Sequence, residues 1–213
     1  LICSLITMVV LLTVGGEPQT AEEYFSLLRE NRILGLLRLD FASLANVTLY
    51  YLTFFGMYGA LKTVNRGYAA ITTAIGYAGV TLWLSSHSAL GMLHLSTLYD
   101  SVTTEAEWNQ MIAAGEALIA SDMWNSTGAL ISGLLVEGAL LWISFLMLKS
   151  PLFNGITAWI GILVHGFDLA HILAGLAAPE AGVALMMVAG PLYLIWFPLI
   201  SRDLWKASTT GRV

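Results

Sequence analysis

Long apolar runs constrain this chain more than any other feature. Of its 213 residues, 57% are hydrophobic and only 11% are charged, whereas soluble domains carry roughly 25% charged residues. A helix that crosses a bilayer needs about 20 apolar residues. Runs of this kind lie at residues 1–15, 38–61, 68–95, 124–148, 155–177 and 181–200. The sequence therefore predicts an all-α, polytopic membrane bundle of six transmembrane helices, forming one transmembrane domain over residues 1–213.

The first of these runs is short for a membrane span. It begins at Leu1, which is not a usual initiating residue, and no small-residue cleavage motif follows that would mark a signal peptide. We therefore expect a first span that lacks its N-terminal turns.

Basic residues are distributed unevenly between the connections. Six of the nine lie in the short turns after the second and fourth spans and in the C-terminal tail, namely Lys62, Arg66, Lys149, Arg202, Lys206 and Arg212. Cytoplasmic loops carry an excess of lysine and arginine. Both termini are therefore expected in the cytoplasm, which an even number of spans also requires.

Two outer connections are long and begin with the same pattern. Thr20 to Glu23 and Thr104 to Glu107 are capping boxes, which open helices. Apolar residues follow each box at helical spacing, including Phe25 after the first and Met111 after the second. Each connection is predicted to form an amphipathic helix that lies in the outer membrane interface.

Ionisable residues within the predicted spans are the main functional signal, because a charge in the bilayer is costly and is rarely placed there without a role. All four histidines of the chain lie in these spans. A comparison of the depths at which these residues lie in their predicted spans indicates a shared polar pocket. Its predicted members are Glu137, His165, Asp168, His171 and His87. Secondary candidates are His94 and Asp40, which lie nearer the outer surface.

Helical geometry adds detail to this prediction. Glu137 shares a face with Ser126, Gly133 and Ser144, which suits close helix packing, so its side chain is expected to point into the bundle. Asp168 lies three residues from a histidine on either side and can touch both. The alternative for Glu137 is a protonated carboxyl that only holds two helices in register.

No motif in the chain fixes a reaction. A metal-dependent hydrolase, a haem protein that uses His87 with His171, and a proton-coupled carrier that uses Glu137 and the histidines all remain open. No recognised metal-ligand spacing is present, so the cofactor stays unknown, with a metal ion or a haem as the options.

Cys3 is the single cysteine, which excludes an internal disulfide. The net charge of −5 and the lack of a basic cluster along the sequence exclude nucleic acid as a partner. The expected partners are membrane lipid and other membrane subunits.

Several helix-end and loop patterns resemble a known family. They are Tyr99-Asp-Ser-Val-Thr-Thr-Glu-Ala-Glu107, Ala113-Ala-Gly-Glu-Ala-Leu118, Met147-Leu-Lys-Ser-Pro-Leu-Phe153, Gly161-Ile-Leu163 and Leu194-Ile-Trp196. Together they are similar to a bacterial multi-pass membrane family, the domain of unknown function 4386. The resemblance spans about residues 40 to 205. It implies a bacterial inner (plasma) membrane protein with six or seven spans, and it carries over no active site.

The sequence thus leads to two expectations about function. The first is a non-enzymatic integral membrane protein, either an accessory subunit or a binder of lipid, of a small apolar ligand or of a cofactor. The second is a membrane-embedded metal-dependent hydrolase or a proton-coupled carrier that uses the Glu/His/Asp cluster.

Overall fold

The computed structural model describes residues 18–122 and 126–209, together with Val9. The regular structure within these ranges is entirely α-helical, which confirms the predicted fold class. The helices are α1 Ala21–Glu30, α2 Arg32–Arg38, α3 Phe41–Ser85, α4 Ala89–Tyr99, α5 Glu105–Ala120, α6 Thr127–Met147, α7 Gly155–Gly175 and α8 Pro179–Thr209. The predicted first span, 1–15, lies outside the described residues apart from Val9.

Three helices of the described ranges are long and apolar enough to cross a membrane, namely α6, α7 and α8. They overlap the predicted spans at 124–148, 155–177 and 181–200. There is also one bent pair of helices, Arg32–Arg38 and Phe41–Tyr99, with an angle of 55° between them. This pair is a fourth candidate if it counts as one span. The predicted membrane character is thereby confirmed, while the number of six spans stays a prediction.

Helix α3 is a hairpin of two helical arms. Asn65 has extended backbone angles (φ −158°, ψ 103°), and its side-chain oxygen accepts a hydrogen bond from the Tyr68 N–H at 3.0 Å. The Tyr51 hydroxyl lies 2.7 Å from that of Thr81, which requires the arms 41–64 and 66–85 to run antiparallel. Each arm has about the 20 residues that a span needs, and the turn lies where the basic residues Lys62 and Arg66 predict it.

The second arm ends earlier than predicted. The sequence predicts one span over 68–95, but the helix stops at Ser85 and α4 begins at Ala89. The reason is a set of polar contacts at the break. Asp122 Oδ1 accepts hydrogen bonds from the Ser88 N–H at 3.2 Å and the Ser88 hydroxyl at 2.8 Å. His87 Nδ1 accepts another from the Ala89 N–H at 3.2 Å.

The described chain divides into two compact units. The first comprises the described residues within 1–48 and 83–129, and the second those within 49–82 and 130–213. The single transmembrane domain stays a prediction.

In the first unit, α1, α4 and α5 pack around a small apolar core that includes Phe25, Leu28 and Met92. The N-terminus of α1 is fixed on α5, because the Ala21 N–H donates to Glu116 Oε1 at 2.7 Å. The two helices that the sequence predicts in the outer connections are therefore both present, and they pack against each other.

Both predicted capping boxes begin helices. The Glu23 N–H donates to the Thr20 hydroxyl at 3.3 Å, and the Glu107 N–H donates to the Thr104 hydroxyl at the same distance. At Thr104 the box is complete, because the Glu107 carboxylate accepts from the Thr104 N–H at 3.1 Å.

The second capping box predicts an acid-sensitive helix start. Hydrogen bonds from the Thr104 side chain and backbone, and from the Thr103 backbone, lower the pKa of Glu107. A lowered pKa means that this carboxylate stabilises the fold above its unfolded pKa and ceases to do so as the pH falls through the lowered value. We expect amide-exchange protection in the first turn of α5 to fall in that acidic range. Glu107→Gln should show protection that does not change with pH, because glutamine can also cap the helix but does not titrate. Glu105→Gln, which alters an exposed neighbour, should behave like the wild type. Equal pH profiles for both variants would contradict the assignment.

In the second unit, α6, α7 and α8 pack with the arms of the α3 hairpin. The Ser132 hydroxyl of α6 donates to the Gly79 carbonyl of the second arm at 2.9 Å. The start of α7 is held on α8 by the buried Asp203, whose Oδ2 accepts from the Asn154 N–H at 3.0 Å and the Thr157 hydroxyl at 2.6 Å. Helix α8 continues through Pro191 and Pro198 and extends beyond the predicted span at 181–200.

Candidate functional site

Glu137 lies near the middle of α6 and faces into the second unit. It is only 7% exposed, which confirms the prediction that it points inward. Its Oε2 atom is 2.8 Å from Nδ1 of His165 on α7 and 2.8 Å from the hydroxyl of Tyr193 on α8. One carboxylate oxygen therefore joins three helices.

Tyr193 connects this oxygen to a second carboxylate. Its hydroxyl lies 2.7 Å from Oδ2 of Asp168 on α7, in addition to its contact with Glu137. The Tyr193 ring stacks on Phe197, with centroids 5.8 Å apart and an interplanar angle of 24°, and it meets the edge of the His165 ring at 5.6 Å. The hydroxyl is thus held between the two carboxylates by packing on both sides of its ring.

The contacts of Tyr193 suit a shared proton in the network. A tyrosine hydroxyl carries one proton, which it can donate to one carboxylate at a time, while its oxygen can accept a second hydrogen bond. Its oxygen lies 2.7–2.8 Å from both carboxylates. Both contacts are full hydrogen bonds when Glu137 and Asp168 hold one proton between them.

Two proton arrangements satisfy all three contacts of the network. In one, Asp168 is protonated and donates to the Tyr193 oxygen, and Tyr193 donates to Glu137. In the other, Glu137 is protonated and donates to Tyr193, and Tyr193 donates to Asp168. In both, His165 Nδ1–H donates to Glu137. The two states differ only by one proton transfer between Tyr193 and each carboxylate. Such a pair of states is what a proton relay requires.

His165 forms the buried end of the network. Its side chain is fully buried, and Nε2 has no hydrogen-bond partner among the described residues. The ring meets Trp196 edge-on, with centroids 4.6 Å apart, and the Trp196 indole nitrogen also lacks a partner within the described part. Because an unpaired buried N–H is costly, a neutral imidazole with its proton on Nδ1 fits this position.

Tyr50 connects the α3 hairpin to the aromatic rings around the network. It lies on the first arm of α3. Its ring meets the edge of Phe197 with centroids 6.1 Å apart. The α3 hairpin therefore contributes to the surroundings of the network along with α6, α7 and α8.

The other predicted pocket residues have partners of their own. His171 Nδ1 donates to the Gly182 carbonyl at 2.9 Å, where α7 and α8 approach closely. His87 belongs to the first unit, and its Nε2 donates to the Asp40 carbonyl at 3.2 Å. His94 is exposed on α4. The structure thus links Glu137 to His165 directly and to Asp168 through Tyr193. It gives His171 and His87 backbone partners instead.

The expected contacts between Asp168 and the histidines of its own helix are replaced by the contact with Tyr193. Tyr193, Tyr50 and Trp196 were missed from the sequence, because uncharged aromatic residues in a span do not stand out as costly. One available signal was the position of Tyr193, two residues after Pro191 in the middle of the last span.

The hypotheses of a metal-dependent hydrolase and of a haem protein are not supported by a ligand set in the described ranges. Within them, no three His, Cys, Asp or Glu side chains are grouped to hold a metal ion. For the haem hypothesis, both ring nitrogens of His87 take part in hydrogen bonds, so iron ligation would require these bonds to break.

Comparison with protein-family models, with curated proteins and with solved structures finds no match to this chain. The resemblance to the domain of unknown function 4386 therefore stays a prediction.

Proposed function

We propose that this protein is a proton-coupled membrane carrier whose proton site is the network of Glu137, His165, Tyr193 and Asp168. In this proposal it is a multi-pass protein of a bacterial inner membrane with six spans and cytoplasmic termini. The uneven distribution of basic residues and the α3 hairpin, with its two span-length arms, support that topology.

The observation that carries the proposal is the pair of short contacts made by the Tyr193 hydroxyl. Both contacts are satisfied when Glu137 and Asp168 share a proton, which then has two positions of similar hydrogen bonding. Ionisable residues at membrane depth that form such chains are typical of pumps and transporters.

Exposure gives the network a direction. Asp168 is half-buried, whereas Glu137 and His165 are buried. In this proposal protons enter and leave at Asp168, and Glu137 is the closed end of the relay, held there by His165. A carrier needs this asymmetry, because a site open at both ends would conduct protons without coupling them to a solute.

The test uses proteoliposomes that contain an internal pH dye. A proton gradient is imposed, and alkali-metal cations, organic cations and carboxylates are supplied one class at a time. We expect one class to accelerate proton movement in the wild type. Glu137→Gln should reduce this movement to the level of protein-free vesicles, because the glutamine amide neither releases nor takes up a proton in this pH range.

Glu180→Gln is the matched control, since Glu180 is an exposed carboxylate of the same unit. It should retain wild-type proton movement. Wild-type rates in Glu137→Gln would contradict the proposal. So would the absence of movement with every solute class. In either case the network would serve only to hold α6, α7 and α8 in register, as in an accessory subunit or a binder of lipid or an apolar ligand.

A further inference from the structure

The basic residues of the second unit lie at one end of it. Tyr68, just after the hairpin turn at Asn65, packs against Trp142 near the end of α6, with ring centroids 5.5 Å apart. The hairpin turn and the end of α6 are therefore adjacent. Asp203 joins the start of α7 to the late part of α8, and a short connection leads from α6 to α7. All four chain segments thus meet at this end.

This end carries every lysine and arginine that the structure describes in the second unit. These residues are Lys62, Arg66, Lys149, Arg202 and Lys206, and all five are exposed. We call this set the basic end. The acidic residue located here is Asp203, which is buried and already accepts hydrogen bonds from Arg202 at 2.9 and 3.0 Å. Within the described ranges, Lys62, Arg66 and Lys149 form no ion pair.

Exposed aromatic side chains accompany the basic end. Tyr68, Trp142, Trp159 and Trp205 lie within about two turns of it and are 47–72% exposed. Tryptophan and tyrosine at the ends of apolar helices are typical of the boundary between hydrocarbon and headgroups. Trp205 is the most exposed of them and lies between Arg202 and Lys206 on α8.

We propose that the basic end binds the headgroups of anionic phospholipids. The exposed cations pair with lipid phosphates, and the aromatic rings lie beside the upper acyl chains. Clusters of four to eight basic residues next to membrane helices bind anionic lipids in this way. A lipid fits better than an acidic soluble protein, because the cations directly follow apolar helices and alternate with aromatic residues that suit the membrane boundary. The inference does not depend on the proposed carrier function.

The experiment places the full chain in nanodiscs of equal parts phosphatidylcholine and phosphatidylglycerol, and identifies retained lipids by native mass spectrometry. We expect the wild type to retain mainly phosphatidylglycerol. The double variant Lys62→Gln/Lys149→Gln should lower the ratio of phosphatidylglycerol to phosphatidylcholine by at least about fivefold, since each basic residue near an anionic surface contributes roughly that factor.

The control is Arg29→Gln/Arg32→Gln, which removes two exposed charges from the first unit and should keep the wild-type ratio. Equal retention of both lipids by the wild type would overturn the proposal. An unchanged ratio in the Lys62/Lys149 variant, or an equal loss in the control, would do the same. Because all four substituted side chains are exposed, each variant is expected to fold, and its melting temperature in detergent verifies this.

Discussion

Replacing Tyr193 by phenylalanine is expected to stop solute-driven proton movement, with rates that fall to those of protein-free vesicles. The change removes one oxygen atom and keeps the ring between Phe197 and His165. Without that oxygen, neither carboxylate can pass its proton to the other. The loss of a hydrogen bond at two carboxyl groups should also lower the free energy of unfolding by about 1–3 kcal/mol.

Infrared spectroscopy tests the shared proton directly, without knowledge of the solute. The wild type should show the carbonyl band of a protonated carboxyl group at neutral pH, and this band should be absent in Glu137→Gln/Asp168→Asn. In Tyr193→Phe the band should move to the higher frequency of a carboxyl group that has lost a hydrogen bond. Tyr77→Phe removes the same atom from a tyrosine that packs on Tyr51 and Phe54 and serves as the control. An unchanged band and unchanged proton movement in Tyr193→Phe would rule out the relay.

Gly76→Ala is expected to destabilise the protein by about 1–3 kcal/mol through overpacking of the α3 hairpin. A methyl group at Gly76 would overlap the ring of Phe54, which lies on the opposite arm. Phe54 is fully buried, so its ring can move aside only by displacing the neighbours packed around it. We expect the arms of the hairpin to separate, which should also displace Tyr50 on the first arm from Phe197.

The same substitution on the other arm gives the matched control for Gly76. Gly59→Ala meets no atom within 4 Å of the added carbon, so the higher helix propensity of alanine should be neutral or stabilising, by up to about 1 kcal/mol. Thermal unfolding in detergent would measure both variants. Equal melting temperatures for the two would show that the arms do not pack as described.

The sequence predicts those features that depend on hydrophobicity and helical periodicity. Helices α6, α7 and α8 follow from unbroken apolar runs, and both capping boxes begin helices where they were expected. The break between Ser85 and Ala89 could not be predicted, because it depends on Asp122, a partner 34 residues away. Periodicity within one helix contains no information about such a partner.

In the candidate site too, the sequence predicts some residues and misses those whose role depends on partners on other helices. Glu137, His165 and Asp168 could be found because an ionisable group in a span is costly wherever its partner lies. The predicted depth in the membrane also placed His87 in the polar pocket. This residue belongs to a different compact unit and donates to a backbone carbonyl there. For Tyr193 the sequence offers only its position near Pro191, because its role depends on the packing of α8 against α7 and α6.

The two prolines of α8 connect the shape of this helix to the protonation of the network. Each removes a backbone N–H, so the carbonyls one turn earlier, at Met187 and Leu194, lose a partner within the helix. The segment between them, which carries Tyr193, is therefore the part of α8 that bends at the lowest cost. Bending there would move the Tyr193 hydroxyl away from Glu137 and from Asp168 at the same time. By thermodynamic reciprocity, the shared proton favours the unbent helix as strongly as the unbent helix favours the proton. A solute that binds preferentially to the bent helix would thus expel the proton without touching either carboxylate.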